Sequence, residues 1–194
     1  MIAHDGAGTG DGSAVHAKAA AVSLDIELIG LHANTDARGG LTEIFREDWV
    51  RARAVQWNLV RSEANVLRGV HVHVLHEDYV VPIAGRIVVG LSDVREGTPA
   101  FGAAQILELS SERPQLLVIP PGIAHGFYLP EAATFTYGVS EYWNPAHDEL
   151  GCRWDDPELG IAWPANAPML SGRDEHATSR ALLLERLRGI RPEW

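Results

Sequence analysis

The sequence predicts an all-β fold, a barrel or sandwich of short antiparallel strands. From residue 26 onward, short runs rich in Val, Ile, Leu and Trp are separated by Gly, Pro and Asp at intervals of roughly 8 to 12 residues. Residues 177–189 have apolar side chains at helical spacing, and Gly189 is placed to end that helix. We therefore expect a β architecture that ends in a short C-terminal helical segment.

Length and composition predict one domain behind a flexible tail. The chain has 194 residues, which suffices for a full core and makes two ordinary domains unfavourable. Residues 1–22 are rich in Gly, Ala and Ser, and they bury too little apolar surface to offset the entropy of ordering. Residues 23–194 are expected to form the single domain.

Five stretches carry the clearest strand pattern. They are residues 54–60, 78–94, 105–109, 115–119 and 134–142. Within the second stretch, Gly85-Arg86 predicts a tight turn that divides it into two strands of a hairpin. Pro82 has no backbone N–H to donate, so we expect it at a strand edge or a bulge.

Charge and composition argue against several classes of protein. The net charge of −10 argues against binding to nucleic acid, whose phosphates require a broad basic surface. No apolar run approaches the roughly 20 residues of a membrane-spanning helix, and the N-terminal residues lack the pattern of a secretory signal. The single cysteine, Cys152, allows no intramolecular disulfide and is expected to be a core residue. We expect a cytoplasmic protein with no membrane partner.

Two histidine-bearing segments carry the candidate chemistry. The first, residues 67–73, reads Leu-Arg-Gly-Val-His-Val-His, and the period of two along a strand places His71 and His73 on one face. The second, residues 119–127, contains the pattern PxGxxHGF, in which a turn returns His125 to a strand. A shared face suits paired metal ligands and equally suits a general base with a polar neighbour, so the spacing favours neither.

Taken together, these and other segments resemble the dTDP-4-dehydrorhamnose 3,5-epimerase family of the cupin superfamily. The matching segments are residues 36–43, 56–58, 67–71, 93–95, 98–102, 119–127, 137, 154–157 and 161–164. Their order and spacing make the resemblance specific, although each segment is weak alone. It implies a cupin-type jelly-roll homodimer that needs no cofactor and epimerises a 4-keto-6-deoxy sugar carried on a nucleoside diphosphate.

The resemblance also implies roles for three residues in proton transfer. His71 would be the base that removes a ring proton beside the ketone. Asp174 would fix the tautomer of this imidazole and increase its basicity. Tyr137 would be the acid that returns a proton to the opposite ring face, with inversion at C3, at C5 or at both.

A larger set of substrate-binding residues follows from the same resemblance. Guanidinium groups suit the diphosphate because their planar forks match phosphate oxygens. The segment from Arg38 to Glu43 is expected to reach the site of a neighbouring subunit. The full set is Arg38, Glu43, Gln56, Asn58, Arg68, Tyr79, His125, Tyr142, Glu149 and Arg173. From charge alone, the candidates for an anion-binding cluster are Arg38, Arg61, Arg68 and Arg173.

One departure from the family pattern concerns a lysine. The family normally has a lysine at the start of a strand reading Lys-Leu-Val, where its charge can stabilise the developing enolate. Here the stretch 77–81 reads Glu-Asp-Tyr-Val-Val, and we assign Tyr79 to the place of the lysine. Because a phenol lacks a positive charge, a nucleotide-sugar-binding protein without catalysis is one alternative.

A second departure brings forward a metal-dependent alternative. His73 stands where the family commonly has glutamine. With it, His71, Glu77 and His125 complete the three-histidine, one-glutamate composition that metal-binding cupins use for a divalent transition metal. This alternative predicts a dioxygenase or an isomerase that uses these four side chains as ligands.

Overall fold

The computed structural model describes residues 24–144, 150–190 and 194. The strands in these ranges are β1 (Glu27–Gly30), β2 (Ala33–Asp36), β3 (Gly39–Thr42), β4 (Gln56–Ser62), β5 (Val66–Val72), β6 (Asp78–Ala84), β7 (Arg86–Asp93), β8 (Ala104–Ser110), β9 (Gln115–Ile119), β10 (Ile123–Leu129), β11 (Ala133–Val139) and β12 (Leu150–Gly151). The helices are α1 (Gly172–Glu175) and α2 (Arg180–Ile190), with single 3₁₀ turns at Glu47–Trp49 and Pro157–Leu159. The predicted tail, residues 1–22, lies outside the described residues.

Most described strands belong to one of two five-stranded sheets. The first has the order β1-β9-β6-β11-β4, and the second has the order β12-β5-β10-β7-β8. All of the strand pairs in these sheets are antiparallel. The hairpin of β2 and β3 stands apart from both sheets. The prediction of an all-β jelly roll with a short C-terminal helical segment is confirmed.

Alternating side chains of both sheets form the main hydrophobic core. Successive residues of a strand point to opposite faces, so every second residue enters the space between the sheets. The buried members of this core are Leu24, Val80, Ile87, Val89, Leu91, Leu109, Leu117, Ile119, Ile123, Leu129, Ala133 and Phe135. Polar residues that also point between the sheets, near one end of the strands, are therefore positioned by this packed core.

The turn and the bulge predicted within residues 78–94 are both present. Gly85 separates β6 from β7 and has a φ of +76°, a conformation that glycine adopts without strain. Pro82 pairs with Phe135 next to a register shift between Thr134 and Phe135. Strand β6 pairs with β9 only through residues 78–80. Pro82 lies beyond this pairing, so its missing N–H removes no hydrogen bond to β9.

The C-terminal helix packs its apolar side against the second sheet. Leu183 and Leu187 of α2 join a buried cluster that also contains Val70, Val72 and Cys152. Burial raises the pKa of the Cys152 thiol to about 12, which fits the predicted core role. Neither α1 nor α2, the helices of the described ranges, is long and apolar enough to span a membrane.

The helix begins later than predicted because side chains cap it at a defined point. We expected it to start at residue 177, and it starts at Arg180. The backbone N–H of Arg180 donates to Asp156 Oδ2 at 2.9 Å, and that of Leu182 donates to Ser179 Oγ at 3.3 Å. These acceptors satisfy amides that have no partner within the helix.

Gly90 is expected to be intolerant of any side chain. It lies on β7 opposite Gly126 of β10, and a Cβ at Gly90 would lie 2.5 Å from Trp163 Cζ2. We expect Gly90→Ala to lower the free energy of unfolding by about 1–3 kcal/mol, because the indole must shift. Denaturant unfolding measures this loss.

The matched control for this prediction is Gly30→Ala, since a Cβ at Gly30 meets no atom within 4 Å. Equal losses in the two variants would contradict the packing argument, because Gly90, unlike Gly30, lies against the Trp163 ring.

Candidate active site

A cavity of about 420 Å³ lies between the two sheets at one end of the barrel. Strands β4 and β11 of the first sheet contribute every second residue to its wall, as the strand period requires. The lining residues are Gln56, Asn58, Val60, Arg68, His71, His73, His76, Asp78, His125, Phe127, Phe135, Tyr137, Val139, Trp143 and Arg173. The wall is apolar toward the core and carries titratable groups from both sheets.

His71 and Asp174 form a hydrogen-bonded pair at this wall. His71 Nε2 lies 2.8 Å from Asp174 Oδ1, and the carboxylate is 5% exposed. Strand β5 carries the histidine, whereas the aspartate comes from the one-turn helix α1. The backbone N–H of Asp174 donates to Ser171 Oγ at 3.2 Å, and that of Gly69 donates to Asp174 Oδ2 at 3.3 Å. These bonds fix the carboxylate against β5.

The protonation states of this pair follow from its surroundings. Burial lowers the pKa of His71 below its usual value, and the hydrogen bond to Asp174 opposes that shift. Burial would raise the pKa of Asp174, but hydrogen bonds from His71 and Gly69 hold it below its ordinary value. A neutral His71 therefore donates its Nε2–H to an ionised Asp174, and Nδ1 carries the lone pair of a base.

Tyr137 contributes a phenol to the same cavity from the opposite sheet. It lies on β11, where it pairs with Asn58 of β4 and Val80 of β6. Burial raises the pKa of Tyr137, and the negative charge of Asp78 raises it further. The phenol therefore keeps its proton near neutral pH and can donate it.

Three further histidines and an aspartate line the cavity close to one another. The rings of His73 and His76 stack with centroids 4.1 Å apart, and the ring of His125 lies 5.3 Å from that of His73. Asp78 begins strand β6 and is almost fully buried beside them. Burial and the nearby His73 lower the pKa of His125 well below its usual value, so that this imidazole is neutral.

An open groove of about 710 Å³ adjoins the cavity and shares three lining residues with it. The shared residues are Arg68, His71 and Arg173. Arg61 also lines the groove, and Arg68 Nε donates to Ser62 Oγ at 2.9 Å. Three of the four predicted arginines thus lie along one continuous surface that leads to His71.

The structure places part of the predicted substrate-binding set at this surface. Gln56, Asn58, Arg68, His125 and Arg173 line the cavity, and Gln56 Nε2 donates to Asn58 Oδ1 at 3.0 Å. The roles of these residues in binding remain predictions.

Other members of the set lie elsewhere. Arg38, at the turn of the hairpin, has an 89% exposed side chain paired with Asp36. Glu43 is exposed beside Arg46, and Tyr142 is 71% exposed. These side chains do not line the cavity of their own chain, which corrects the prediction for Tyr142. Glu149 lies outside the described residues.

Tyr79 faces away from the cavity, which corrects the prediction that it lines the site. Its side chain is fully buried in a separate cluster on the outer face of the first sheet. The single phenol O–H has two acceptors within reach, Glu77 Oε2 at 2.7 Å and the carbonyl oxygen of Ala52. Since neighbouring residues of a strand alternate between faces, Asp78 rather than Tyr79 faces the cavity.

The ligand set of the metal-dependent alternative is not assembled. The Glu77 carboxylate accepts from Tyr79 outside the cavity, and His71 is bonded to Asp174. Asp78, Trp143 and His76 were not predicted as site residues, yet all three line the cavity, and His76 is only 3% exposed. Side chains of β6 alternate between the cavity and the outer face, so placing Asp78 on the inner face would have predicted it as a cavity residue.

Comparison with known proteins identifies the family. The model of the dTDP-4-dehydrorhamnose 3,5-epimerase family matches residues 24–181. The chain belongs to this family.

Curated members of the family are similar over most of the chain. A dTDP-4-dehydrorhamnose 3,5-epimerase from Neisseria gonorrhoeae is 36% identical over 159 residues, which are 77% of this chain and 48% of that protein. The corresponding protein from Pseudomonas aeruginosa is 38% identical over 131 residues, which are 66% of this chain and 72% of that protein. The chain thus spans about half of the first relative's length.

Solved structures of family members share the fold. A dTDP-6-deoxy-D-glucose-3,5-epimerase from Legionella pneumophila, in complex with dTDP-4-keto-L-rhamnose, has a TM-score of 0.74 and 32% identity, covering 81% of this chain and 91% of that one. A 3'-monoepimerase from Streptomyces bikiniensis, in complex with dTDP-quinovose, has a TM-score of 0.75 and 31% identity, covering 84% and 87%.

Proposed function

We propose that this chain is a nucleotide-sugar epimerase. It inverts C3, C5 or both beside the 4-keto group of a dTDP-4-keto-6-deoxyhexose. One observation carries the proposal: a base and an acid enter one cavity from opposite sheets. His71, held by Asp174, belongs to the second sheet, and Tyr137 belongs to the first. Inversion of a ring carbon requires such groups on its two faces.

The reaction uses the lone pair of His71 and the proton of Tyr137. His71 Nδ1 takes the proton from the carbon next to the ketone, and the electron pair of the broken C–H bond moves to the ketone oxygen to form an enolate. Collapse of the enolate takes a proton from the Tyr137 hydroxyl on the other face. Asp174 stabilises the imidazolium formed in the first step by accepting its Nε2–H.

The groove beside the cavity suits the diphosphate of the substrate. Arg61, Arg68 and Arg173 lie along it, and guanidinium groups bind phosphate oxygens through paired hydrogen bonds. This local cluster supplies positive charge in a chain whose net charge is −10. With the diphosphate in the groove, the sugar extends past the shared residue His71 into the cavity.

The names of the relatives support the substrate class. The curated relatives are dTDP-4-dehydrorhamnose 3,5-epimerases, and a solved relative contains dTDP-4-keto-L-rhamnose. Another solved relative is a 3'-monoepimerase, so members of similar fold differ in the number of carbons that they invert. Deuterium incorporation and configuration therefore need to be measured at each carbon separately.

The proposal includes a homodimer in which the hairpin of β2 and β3 contacts the partner subunit. This hairpin is exposed along its length, and Leu41 is 65% exposed. Arg38 at its turn does not line the cavity of its own chain, which supports the expectation that it serves a neighbouring site.

Incubation with dTDP-4-keto-6-deoxyglucose in D₂O tests the proposed reaction. Because each inversion removes one carbon-bound proton, we expect deuterium at C3, at C5 or at both, with inverted product at the labelled carbon. NMR spectroscopy of the sugar reports label and configuration for each carbon.

A sample without protein is the control for spontaneous exchange beside the ketone. Absence of enzyme-dependent deuterium at both carbons, with binding of the dTDP sugar intact, would refute the epimerase proposal and favour a binding protein.

A further inference from the structure

Three imidazoles surround one carboxylate oxygen inside the cavity. Asp78 Oδ2 lies 3.7 Å from His73 Nε2, 3.9 Å from His76 Nε2 and 3.7 Å from His125 Nε2. One candidate ligand atom from each of His73, His76 and Asp78 lies within 4.8 Å of the others. The set comes from β6, β10 and the segment between β5 and β6.

The spacing of these atoms around Asp78 Oδ2 is compatible with coordination of one ion. Separations of 3.7–3.9 Å exceed the hydrogen-bond range. A tetrahedral zinc site with bonds of about 2.0–2.2 Å has neighbouring ligand atoms about 3.4 Å apart. The ligand atoms of His73, His76 and Asp78 all lie within 4.8 Å of one another, so a shift of roughly 0.7 Å or less per atom would bring these three to one ion. His125, which lies outside this group, would move further.

The tautomer of His125 is an independent observation that points to a cation. His125 Nδ1 lies 2.9 Å from the carbonyl oxygen of Ile123, so the ring proton is on Nδ1. Its Nε2, which lies 3.7 Å from Asp78 Oδ2, then carries a lone pair that a cation can accept. Histidines that bind metals usually donate their other ring N–H to a backbone carbonyl in this way.

We propose that His73, His76, Asp78 and His125 bind one divalent transition-metal ion. Three imidazoles with one carboxylate suit Zn²⁺, Fe²⁺, Co²⁺ or Ni²⁺, whereas Mg²⁺ and Ca²⁺ prefer oxygen ligands. Burial favours tight binding, since His76, Asp78 and His125 are each less than 5% exposed. The ligands differ from the sequence-predicted set at two positions, because His76 and Asp78 replace His71 and Glu77.

The role of this ion rests on the proposed epimerase function. Asp78 lines the cavity, and its carboxylate alone would repel the enolate oxygen. A divalent ion held by these residues would place positive charge at that point and would stabilise the negative charge that develops on the ketone oxygen when His71 removes the proton. His71 remains free for this task because it is not a ligand.

Titration of the chelator-treated full-length protein with ZnCl₂ tests the site without any substrate. We expect isothermal titration calorimetry to show one Zn²⁺ per chain and thermal unfolding to shift upward, because the ion binds the folded state. His76→Gln and Asp78→Asn should each lower the affinity by about 100-fold or more. His32→Gln, a change at an exposed histidine outside the cavity, should leave the affinity unchanged.

The wild-type titration keeps the proposal testable even if a variant folds poorly. Absence of stoichiometric binding of Zn²⁺, Co²⁺ and Ni²⁺ to the wild-type protein would overturn the site. Equal affinity in folded wild-type protein, His76→Gln and Asp78→Asn would overturn it as well. Binding without deuterium exchange supports the site and refutes the epimerase, whereas full exchange in metal-free protein supports the epimerase and refutes the role of the ion.

Discussion

Replacement of His71 by asparagine should lower turnover of the dTDP-4-keto sugar by about 10²–10⁴-fold. Asparagine is close in size and can still donate a hydrogen bond to Asp174, but it has no lone pair of comparable basicity to take the ring proton. Because this proton leaves before inversion, deuterium incorporation and product formation should fall together. NMR spectroscopy of the sugar in D₂O measures both quantities in one sample.

His32→Asn provides the matched control for His71→Asn, since the same change is made at an exposed histidine outside the cavity. Circular dichroism and binding of dTDP should be unchanged in both variants. Wild-type exchange in a folded His71→Asn protein would remove His71 from the mechanism and leave the cavity with a different base.

Replacement of Tyr137 by phenylalanine should separate exchange from inversion. With His71 intact, the proton is still removed and deuterium is still returned from the same face, so label should appear in the substrate. Delivery to the opposite face loses its donor, and the rate of inversion should fall by about 10²–10⁴-fold. The ratio of labelled substrate to inverted product, measured by NMR spectroscopy, is therefore the quantity to compare with wild type.

Tyr142→Phe is the control for Tyr137→Phe, because Tyr142 is 71% exposed and does not line the cavity. It should retain the wild-type ratio. A parallel fall of exchange and inversion in Tyr137→Phe would contradict the assignment of the phenol to the second proton transfer alone.

The strands that the sequence predicted are those whose signal is local. Residues 115–119 coincide with β9, and Gly85 marks the turn between β6 and β7. Turn residues and apolar alternation act within a few positions, so one sequence suffices to detect them. By contrast, the hairpin of β2 and β3 is exposed and polar. It therefore lacks the apolar alternation by which a strand is recognised in a sequence.

At the site, the sequence predicted which residues take part better than it predicted the face of the strand on which each side chain lies. His71, Tyr137 and Asp174 were suggested by resemblance, and the structure brings all three to one region of the barrel. Tyr79 was misassigned because a shift of one residue in a strand moves a side chain to the other face. His76 was missed because it follows β5 in a segment without regular alternation, where only the three-dimensional path of the chain shows its direction.

The distance along the chain between His71 and Asp174 has a consequence for biosynthesis. The two residues are separated by 103 positions, and the aspartate lies on a one-turn helix near the C-terminal segment. A growing polypeptide therefore holds an unoriented imidazole throughout most of its synthesis, and gains the proton-accepting geometry only when Ser171 to Asp174 have left the ribosome. We therefore expect a chain truncated before that helix to lack the hydrogen-bonded pair that orients His71.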